Sequence, residues 1–376
     1  MNRCLFIFFS FATLFADPTI CLNMIVKNES HVIKRCLESV KPLIDYWVIV
    51  DTGSDDDTIA VIKEFMKDIP GEIHERAWVN FAHNRNEALH LAKEKADYLL
   101  FIDADDILTY DPDFKKPKLD KPGYNLTIKY ANTTYTRPQL IKSSYNWQWA
   151  GVIHEALVST PHYQGEPLEG VTMVIMGGGD RSRDPQRTLK DIAVLEKALE
   201  EEPNQARYTF YLANGYREAG QIDNAIKTYQ KRIDLGGWAE EVYLSHYHIA
   251  RLSEQQGQPQ SAIVQNYYRA FKYRPTRAEP LYWLSQYYRF QENYLLAYLV
   301  AKHGLEIAHP TESLFVDSWI YDYGMLLEYS ISAYWIEKYE ESYQACMELL
   351  TIEDLPQHVR DCVNQNLKFA LQKLHP

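Results

Sequence analysis

An α/β domain followed by an all-α domain is the architecture this chain of 376 residues predicts, on three observations. Apolar runs alternate with amphipathic stretches from Thr19 to Asp106, the pattern of a mainly parallel sheet with helices on both faces. Shorter runs punctuated by Pro and Gly follow, to Gly179. Beyond Arg187 the texture becomes continuous helix that restarts about every 35 residues, the spacing of stacked helix pairs. The predicted divisions are a hydrophobic leader over 1–16, an α/β domain over 17–187 and helical repeats over 188–376.

The leader MNRCLFIFFSFATLFADP places Arg3 before an apolar run that ends near Ala16. That run is short for a bilayer span and has the layout of a secretory signal peptide cut near Ala16. The other reading is an upstream extension. The first puts the protein in the secretory pathway, the second in the cytoplasm. Sequons at Asn125-Leu-Thr and Asn132-Thr-Thr are compatible with the first.

In the α/β part, TICLNMIV reads as a strand and HVIKRCLESV as an amphipathic helix capped by Ser30. YWVIVD is a second strand, and IAVIKEFMK a second helix. A short strand near EIHERAW, a helix over AHNRNEALHLAKEKA and the strand YLLFID complete the alternation. In such sheets ligands bind outside the carboxyl ends of the strands. Asp51 ends one strand, and Asp103, Asp105 and Asp106 end another. Were those strands neighbours, four carboxylates would face one crevice. YNLTIKY, TRPQLI and GVTMVIMGGG are the later strands, and WQWAGVIHEAL lies among them.

In the helical part, Leu212, Ala213, Tyr216, Gly220, Ala225 and Tyr229 have tetratricopeptide spacing, with restarts near Tyr243 and Ala278 and a weaker one near Tyr323. Many of the 28 tyrosines fall here and read as repeat core with hydroxyls at the surface. A concave surface for a peptide or glycan is the functional alternative.

Composition removes several function classes. With 51 acidic and 39 basic residues the formal charge is −12, which argues against an electrostatic grip on nucleic acid. No G-x-G-x-x-G or P-loop follows a strand, and there is no H-E-x-x-H, so dinucleotide, P-loop and zinc-peptidase chemistry are not indicated. The five cysteines lack C-x-x-C pairs, and Cys21 and Cys36 fall on apolar faces. They read as small buried hydrophobes.

Carboxylates crowded at strand ends make physical sense around a divalent cation, because hard oxygens suit Mg²⁺ or Mn²⁺ and the cation cancels their repulsion. Such a metal characteristically shares its shell with phosphates. Arg85 and Asn86 open a helix aimed at the same crevice, where a guanidinium can meet phosphate or base. Gly177 to Gly179 read as either a phosphate nest or a flexible turn. His154 and Glu155 supply a proton acceptor in an aromatic segment.

CLNMIVKNES, WVIVDTGSDDDT, NRNEAL and LLFIDADD, in that order and spacing, resemble the nucleotide-sugar-binding domain of family 2 glycosyltransferases, with the GT-A (Rossmann-like nucleotide-diphospho-sugar transferase) fold. WAGVIHEAL, GGGDRSRDP and RPTRAEPLYWLSQYYR resemble the branch fused to tetratricopeptide repeats. The resemblance implies inverting transfer from a nucleoside diphosphate sugar, a UDP-sugar being the expected donor, with Mn²⁺ or Mg²⁺ on the diphosphate. It places Asp51 at the base, Asp103 at the ribose or metal and Asp105 at the metal. Val26, Lys27 and Glu29 form the first nucleotide-facing loop, and Arg85 flanks the nucleotide.

The base is assigned to Glu155, with His154 orienting it or contacting diphosphate, ahead of Asp106 and Asp180; Asp180 is also an extra metal or acceptor contact. The acceptor is a glycan, lipid or protein, and the repeats are expected to offer a surface to a protein partner. The alternative is a weakly catalytic nucleotide-sugar-binding scaffold acting through protein–protein contacts; intact Asp103 and Asp105 favour the enzyme. A metal-dependent nucleotidyltransferase would carry a Gly-rich loop at the first strand, which CLNMIVKNES lacks.

Overall fold

The computed structural model describes residues 17–130, 133–312 and 314–375. The leader, Cys4 and the sequon at Asn132 therefore lie outside or at the edge of the described residues. Two compact units divide between Arg187 and Thr188.

The first unit runs β1 (Ile20–Val26), α1 (Ile33–Val40), β2 (Tyr46–Asp51), α2 (Thr58–Phe65), β3 (Gly71–Glu75), α3 (Phe81–Ala92) and β4 (Tyr98–Phe101). It continues with β5 (Ile107–Tyr110), β6 (Gly123–Tyr130), β7 (Thr133–Lys142), β8 (Trp147–Ala150), β9 (Ala156–Ser159), β10 (Glu166–Val174) and the short α4 (Asp180–Arg183). β1 shows why both faces are covered. Ile20, Leu22, Met24 and Val26 pack on one side against Ile33, Cys36 and Leu37 of α1 and Ile62 of α2. The alternate Cys21 packs on the other side with Ala92 of α3, Val48 and Leu99. Two-residue alternation with apolar side chains on both sides forces a layer onto each face. Burial pushes the Cys21 thiol up to about 12, so it is inert packing.

The eight-stranded sheet has the order β3-β2-β1-β4-β7-β6-β10-β5, while β8 and β9 form a separate hairpin. β3, β2, β1 and β4 are parallel. β7 turns the sheet antiparallel, and β10 runs parallel to β6 and antiparallel to β5. A flat sheet would put β5 about 19 Å from β4 at ordinary strand spacing, yet residues 102–106, which join them, are not extended but turn, the Asp106 N–H donating to the Asp103 carbonyl at 3.1 Å. The far edge curls back: Leu108 N–H donates to Ser39 Oγ at 3.0 Å and Tyr110 Oη to the Ser39 carbonyl at 2.7 Å, both onto α1.

One local expectation is corrected. Ser30 does not cap α1; the Glu29 carbonyl accepts from Val32 and Ile33, while the Ser30 N–H goes to Asp56 Oδ2 at 3.2 Å. The sequon at Asn125 lies within β6, and Asn125 Nδ2 donates to the Gly165 carbonyl at 2.8 Å.

The second unit begins with α5 (Arg187–Glu201), α6 (Ala206–Glu218), α7 (Ile222–Leu235), α8 (Ala239–Gln255) and α9 (Gln260–Tyr273). Then come α10 (Glu279–Phe290), α11 (Tyr294–Gly304), α12 (Met325–Trp335, entered through a π-helical turn at Ile320–Gly324), α13 (Tyr339–Leu350) and α14 (Gln357–Leu374). These are the helix pairs the 35-residue spacing predicts. Ala213, Ala225 and Tyr229 are fully buried between α6 and α7. The tyrosine hydroxyls differ from expectation: Tyr321 donates to Glu279 at 2.6 Å, Tyr298 to Glu341 at 2.6 Å and Tyr229 to Asn214 at 2.5 Å, so they turn inward. A buried phenol needs a polar partner, and carboxylates on neighbouring helices supply it. Among the described residues no helix is long and apolar enough to cross a membrane.

Candidate active site

The site is built at the carboxyl ends of β1, β2 and β4. β1 separates the other two strands, so the Asp51 and Asp103 strands are not neighbours, and the expected four-carboxylate crevice divides into two groups. Asp51 is 1% exposed. Its Oδ1 accepts the Gly53 and Ser54 amides at 2.9 and 2.8 Å, holding the turn that follows β2. Its Oδ2 is buried with no partner, an unmet acceptor of the kind a bound base would satisfy. Val26 is buried at the end of β1, Lys27 is exposed beyond it, and Glu29 is fixed by its amide to Thr58 Oγ1 at 2.8 Å.

Asp103 and Glu155 come together through Arg85. Asn80 caps α3 by accepting the His83 amide at 2.9 Å, which places Arg85 one turn in, on the face toward β8. Its Nη2 donates to Asp103 Oδ1 and its Nε to Glu155 Oε1, each at 2.6 Å. The guanidinium also lies 5.0 Å from the Trp149 ring. Burial would raise the Asp103 carboxyl, but Arg85 and Arg137 outweigh it and hold the group below its ordinary value. Burial alone would lower the Arg85 guanidinium; Asp103 and Glu155 more than reverse this. His154 sits exposed in the turn between β8 and β9 with φ 52°. The hairpin is fastened by Asn86, which donates to the Trp149 carbonyl and accepts its amide, both at 2.8 Å.

A second group gathers at the three glycines. Gly179 N–H donates to Asp105 Oδ2 at 3.0 Å, and Asp180 N–H to Glu29 Oε1 at 3.2 Å. A Cβ on Gly179 would lie 2.9 Å from Asp105 Oδ2 and 3.0 Å from Glu29 Oε1, so any larger residue would push both carboxylates away from the turn. Arg35 Nη2 donates to the Gly177 and Asp105 carbonyls at 2.5 and 2.8 Å, and His31 Nε2 lies 2.7 Å from the Gly178 carbonyl. The glycines therefore form a braced turn whose Gly179 amide already serves a carboxylate. Burial, then Asp105 and Asp180, push Glu29 up to about 7, and its Oε2 is buried without a partner. Burial, then Asp103 and Asp105, push Asp106 up to about 7 as well. Asp106 is 3% exposed and accepts the Met176 amide at 3.3 Å, which places it beneath the crevice and not in it.

Among the described residues no three His, Cys, Asp or Glu side chains form a set that could hold a metal ion alone. Asp103 and Asp105 each keep one carboxylate oxygen outside the hydrogen bonds above. Two carboxylates plus diphosphate oxygens and water is a donor set that suits Mg²⁺ or Mn²⁺.

Residues 21–119 match the family described as Glycosyl transferase family 2. The segment is a family 2 glycosyl transferase domain. The SPbeta prophage-derived glycosyltransferase SunS of Bacillus subtilis is 26% identical over 230 residues, 58% of this chain and 54% of that protein, so the chain spans about half the length of this curated relative. A TPR repeat-containing protein of Synechococcus elongatus is 27% identical over 321 residues, covering 78% of this chain and 76% of its own. Among solved structures, the C-terminal part of a TPR repeat-containing protein from Cytophaga hutchinsonii aligns with 45% of this chain and 61% of that one, at 17% identity and a TM-score of 0.37.

The first unit also contains residues, beyond the matched segment, that sequence reasoning missed. Arg137 and Gln139 of β7 and Trp149 of β8 join Arg85, Asp103 and Glu155 around a cavity of about 40 Å³. Gln139 Oε1 and Trp149 Nε1 are buried there without partners. Their signal is faint, since a strand residue's facing depends on a register that the sequence does not display.

Proposed function

We propose that the chain transfers a sugar from a nucleoside diphosphate sugar, UDP being the expected nucleotide, to a glycan, lipid or protein acceptor with inversion at the anomeric carbon. The observation that carries this reading is the joining of Asp103 and Glu155 by one buried guanidinium. It sets a donor-side carboxylate and a proton acceptor a few ångströms apart at the strand ends, where such sheets bind ligand. In this reading Asp51 takes the base through Oδ2, and Val26, Lys27 and Glu29 wall the nucleotide. Asp103 and Asp105 would hold the metal. When bound, Mn²⁺ or Mg²⁺ would offset the negative charge that develops on the departing diphosphate.

Glu155 accepts the proton of the acceptor as its nucleophilic atom bonds to the anomeric carbon, while the bond from that carbon to the diphosphate breaks. Arg85 fixes the position of Glu155, and Trp149 shields the pair from water. His154, on the adjoining turn, contacts the diphosphate or orients the base. Asp180 lies at the Glu29 group and serves as a further acceptor or metal contact.

Calorimetric titration of UDP into the wild type and Asp105→Ala, each with Mn²⁺ and with chelator, tests the donor side. Binding is expected in the wild type with Mn²⁺ and lost in the other three samples; equal affinity in all four removes the metal bridge. On the acid–base side, Glu155→Gln is expected to hold UDP within a few-fold of wild type. Its release of UDP from a panel of UDP-sugars should fall by roughly 10² to 10⁴, the scale of a lost general base. Near-native turnover, with collapse instead in Asp106→Asn or Asp180→Asn, would move the base to that residue.

A further inference from the structure

Two polar atoms of the first unit are buried, held in place and left without a bond. Gln139 is 2% exposed and Trp149 8%. Among the described residues neither Gln139 Oε1 nor Trp149 Nε1 has a hydrogen-bond partner. Both side chains line the cavity of about 40 Å³ that Asp103 and Glu155 also line, and neither is free to turn. Gln139 Nε2 donates to the Phe101 carbonyl at 3.0 Å, so reversing the carboxamide would set oxygen against oxygen. The Trp149 indole meets the Phe101 ring edge-on at 5.2 Å, with the Arg85 guanidinium over it at 5.0 Å. Its backbone amide and carbonyl are both bonded to Asn86. An unmet buried acceptor and an unmet buried donor each cost the folded state free energy. Fixed on one cavity, the two complement a ligand with both a hydrogen to give and a lone pair to offer.

Chemistry narrows the occupant. A hydroxyl donates to Gln139 Oε1 and accepts from Trp149 Nε1. A carboxylate has no hydrogen for the amide oxygen, and an ammonium has no lone pair for the indole N–H. An acetamido group has both, but its nitrogen, carbonyl and methyl exceed a space that holds about one water or one hydroxyl. Arg85 is already shared by Asp103 and Glu155, so a charge brought here finds no unspent counter-charge among those three. On the sugar-transfer reading, on which this inference rests, the anomeric carbon lies between the diphosphate at Asp103 and the nucleophile that Glu155 deprotonates. The group that meets the wall joining them is then the sugar being transferred. We propose that Gln139 and Trp149 together read one hydroxyl of that sugar. The donor therefore carries a free hydroxyl, in place of a deoxy, acetamido or carboxylate group, at the position they face, and these two residues set donor specificity.

Calorimetric titrations of the full chain with Mn²⁺ present test this. The ligands are UDP, UDP-glucose, UDP-galactose and the monodeoxy analogues of both UDP-hexoses; the proteins are the wild type, Gln139→Met and Trp149→Phe. UDP, which carries no sugar for the cavity, should bind all three proteins within a few-fold. The wild type should prefer one of the two hexoses over its analogue lacking a single hydroxyl by roughly tenfold or more, because that analogue leaves both buried groups unpaired. In each variant this one preference should shrink by about fivefold or more, the scale of a lost buried hydrogen bond, while preferences at the other positions stay as they were. Equal binding of every deoxy analogue by the wild type, or an undiminished preference in both variants, would overturn the inference and leave the sugar-transfer reading standing, with the cavity a place for a water only. Failure of UDP itself to bind the wild type would remove that reading and this inference with it. Trp149→Phe keeps an aromatic ring against Phe101, so it decides the matter even if Gln139→Met does not fold.

Discussion

In the helical unit, Arg277 and Glu279 are each 1% exposed, and a second carboxylate, Glu312, reaches the same guanidinium at 3.0 Å. In the α/β unit, Glu29, Asp105 and Asp106 crowd together with backbone amides as their main described partners. Both regions remove charge from water, yet only the first supplies each charge with its opposite. A buried pair needs excellent geometry to offset desolvation, and the repeats provide it. Like charges left at a strand end, with Glu29 and Asp106 pushed up to about 7 by burial and by neighbouring carboxylates, mark a place that a ligand completes. The helical unit uses ionic contacts to fix helix against helix, whereas the α/β unit holds carboxylates in reserve.

That contrast can be broken most forcefully at Arg277. Arg277→Met leaves Glu279 buried without its cation, while Glu312 keeps Arg274 at 2.7 Å, and should destabilise the helical unit by about 3–5 kcal/mol, read by chemical denaturation with a helical probe. A loss below about 1 kcal/mol would show that the network is incidental. The opposite sign is expected in the other unit. Asp106→Asn keeps an acceptor for the Met176 amide and removes one of the crowded charges, so in chelator at pH 8 it should stabilise the α/β unit by about 1 kcal/mol; a fall in its melting temperature would contradict the account.

The smallest effect is expected at Glu341. Lys338 first, then the hydroxyls of Tyr298 and Tyr329, hold its carboxyl down at about 2. A depressed folded value adds stability that is present above the unfolded value and is lost as pH falls through the folded one. The gap between wild type and Glu341→Gln should therefore be under about 1 kcal/mol at pH 7, since the group is partly exposed. It should shrink between pH 4.5 and pH 2. A gap that grows on acidification would reverse the sign.

Much of the architecture was legible in residue patterns. β1 and α1 announce themselves by apolar periods of two and of three to four, and both belong to the local chain. The repeat boundaries were less even for a visible reason. The first two helix pairs turn on Gly220 and Gly257 at φ 71° and 63°, but the corresponding turns after α10 and α12 use Glu292 and Glu337 at 56° and 65°. Without glycine as punctuation, the restart near Tyr323 was faint. The site was legible in its residue types and not in its pairing. Asp103, Glu155 and Arg85 stand out by motif, but that one guanidinium holds both carboxylates depends on β8 lying against α3, a contact across more than 60 residues of sequence. Ser30 misled because an N-cap residue type was present while the backbone supplied its own turn.

The placement of β5 bears on how the protein is made. β5 follows the aspartate segment directly, but its ladder partner is β10, from Val171↔Tyr110 to Val174↔Ile107. On a ribosome the segment 102–106 therefore emerges well before the strand that holds its far end. Non-local strand pairing is slow, and unpaired edges attract other chains. Until Val174 has left the exit tunnel, β5 is an open edge behind a knot of repelling carboxylates. Like charge beside an unpaired edge works against strand-to-strand addition, and here it stands at that edge for the whole interval before β10 arrives.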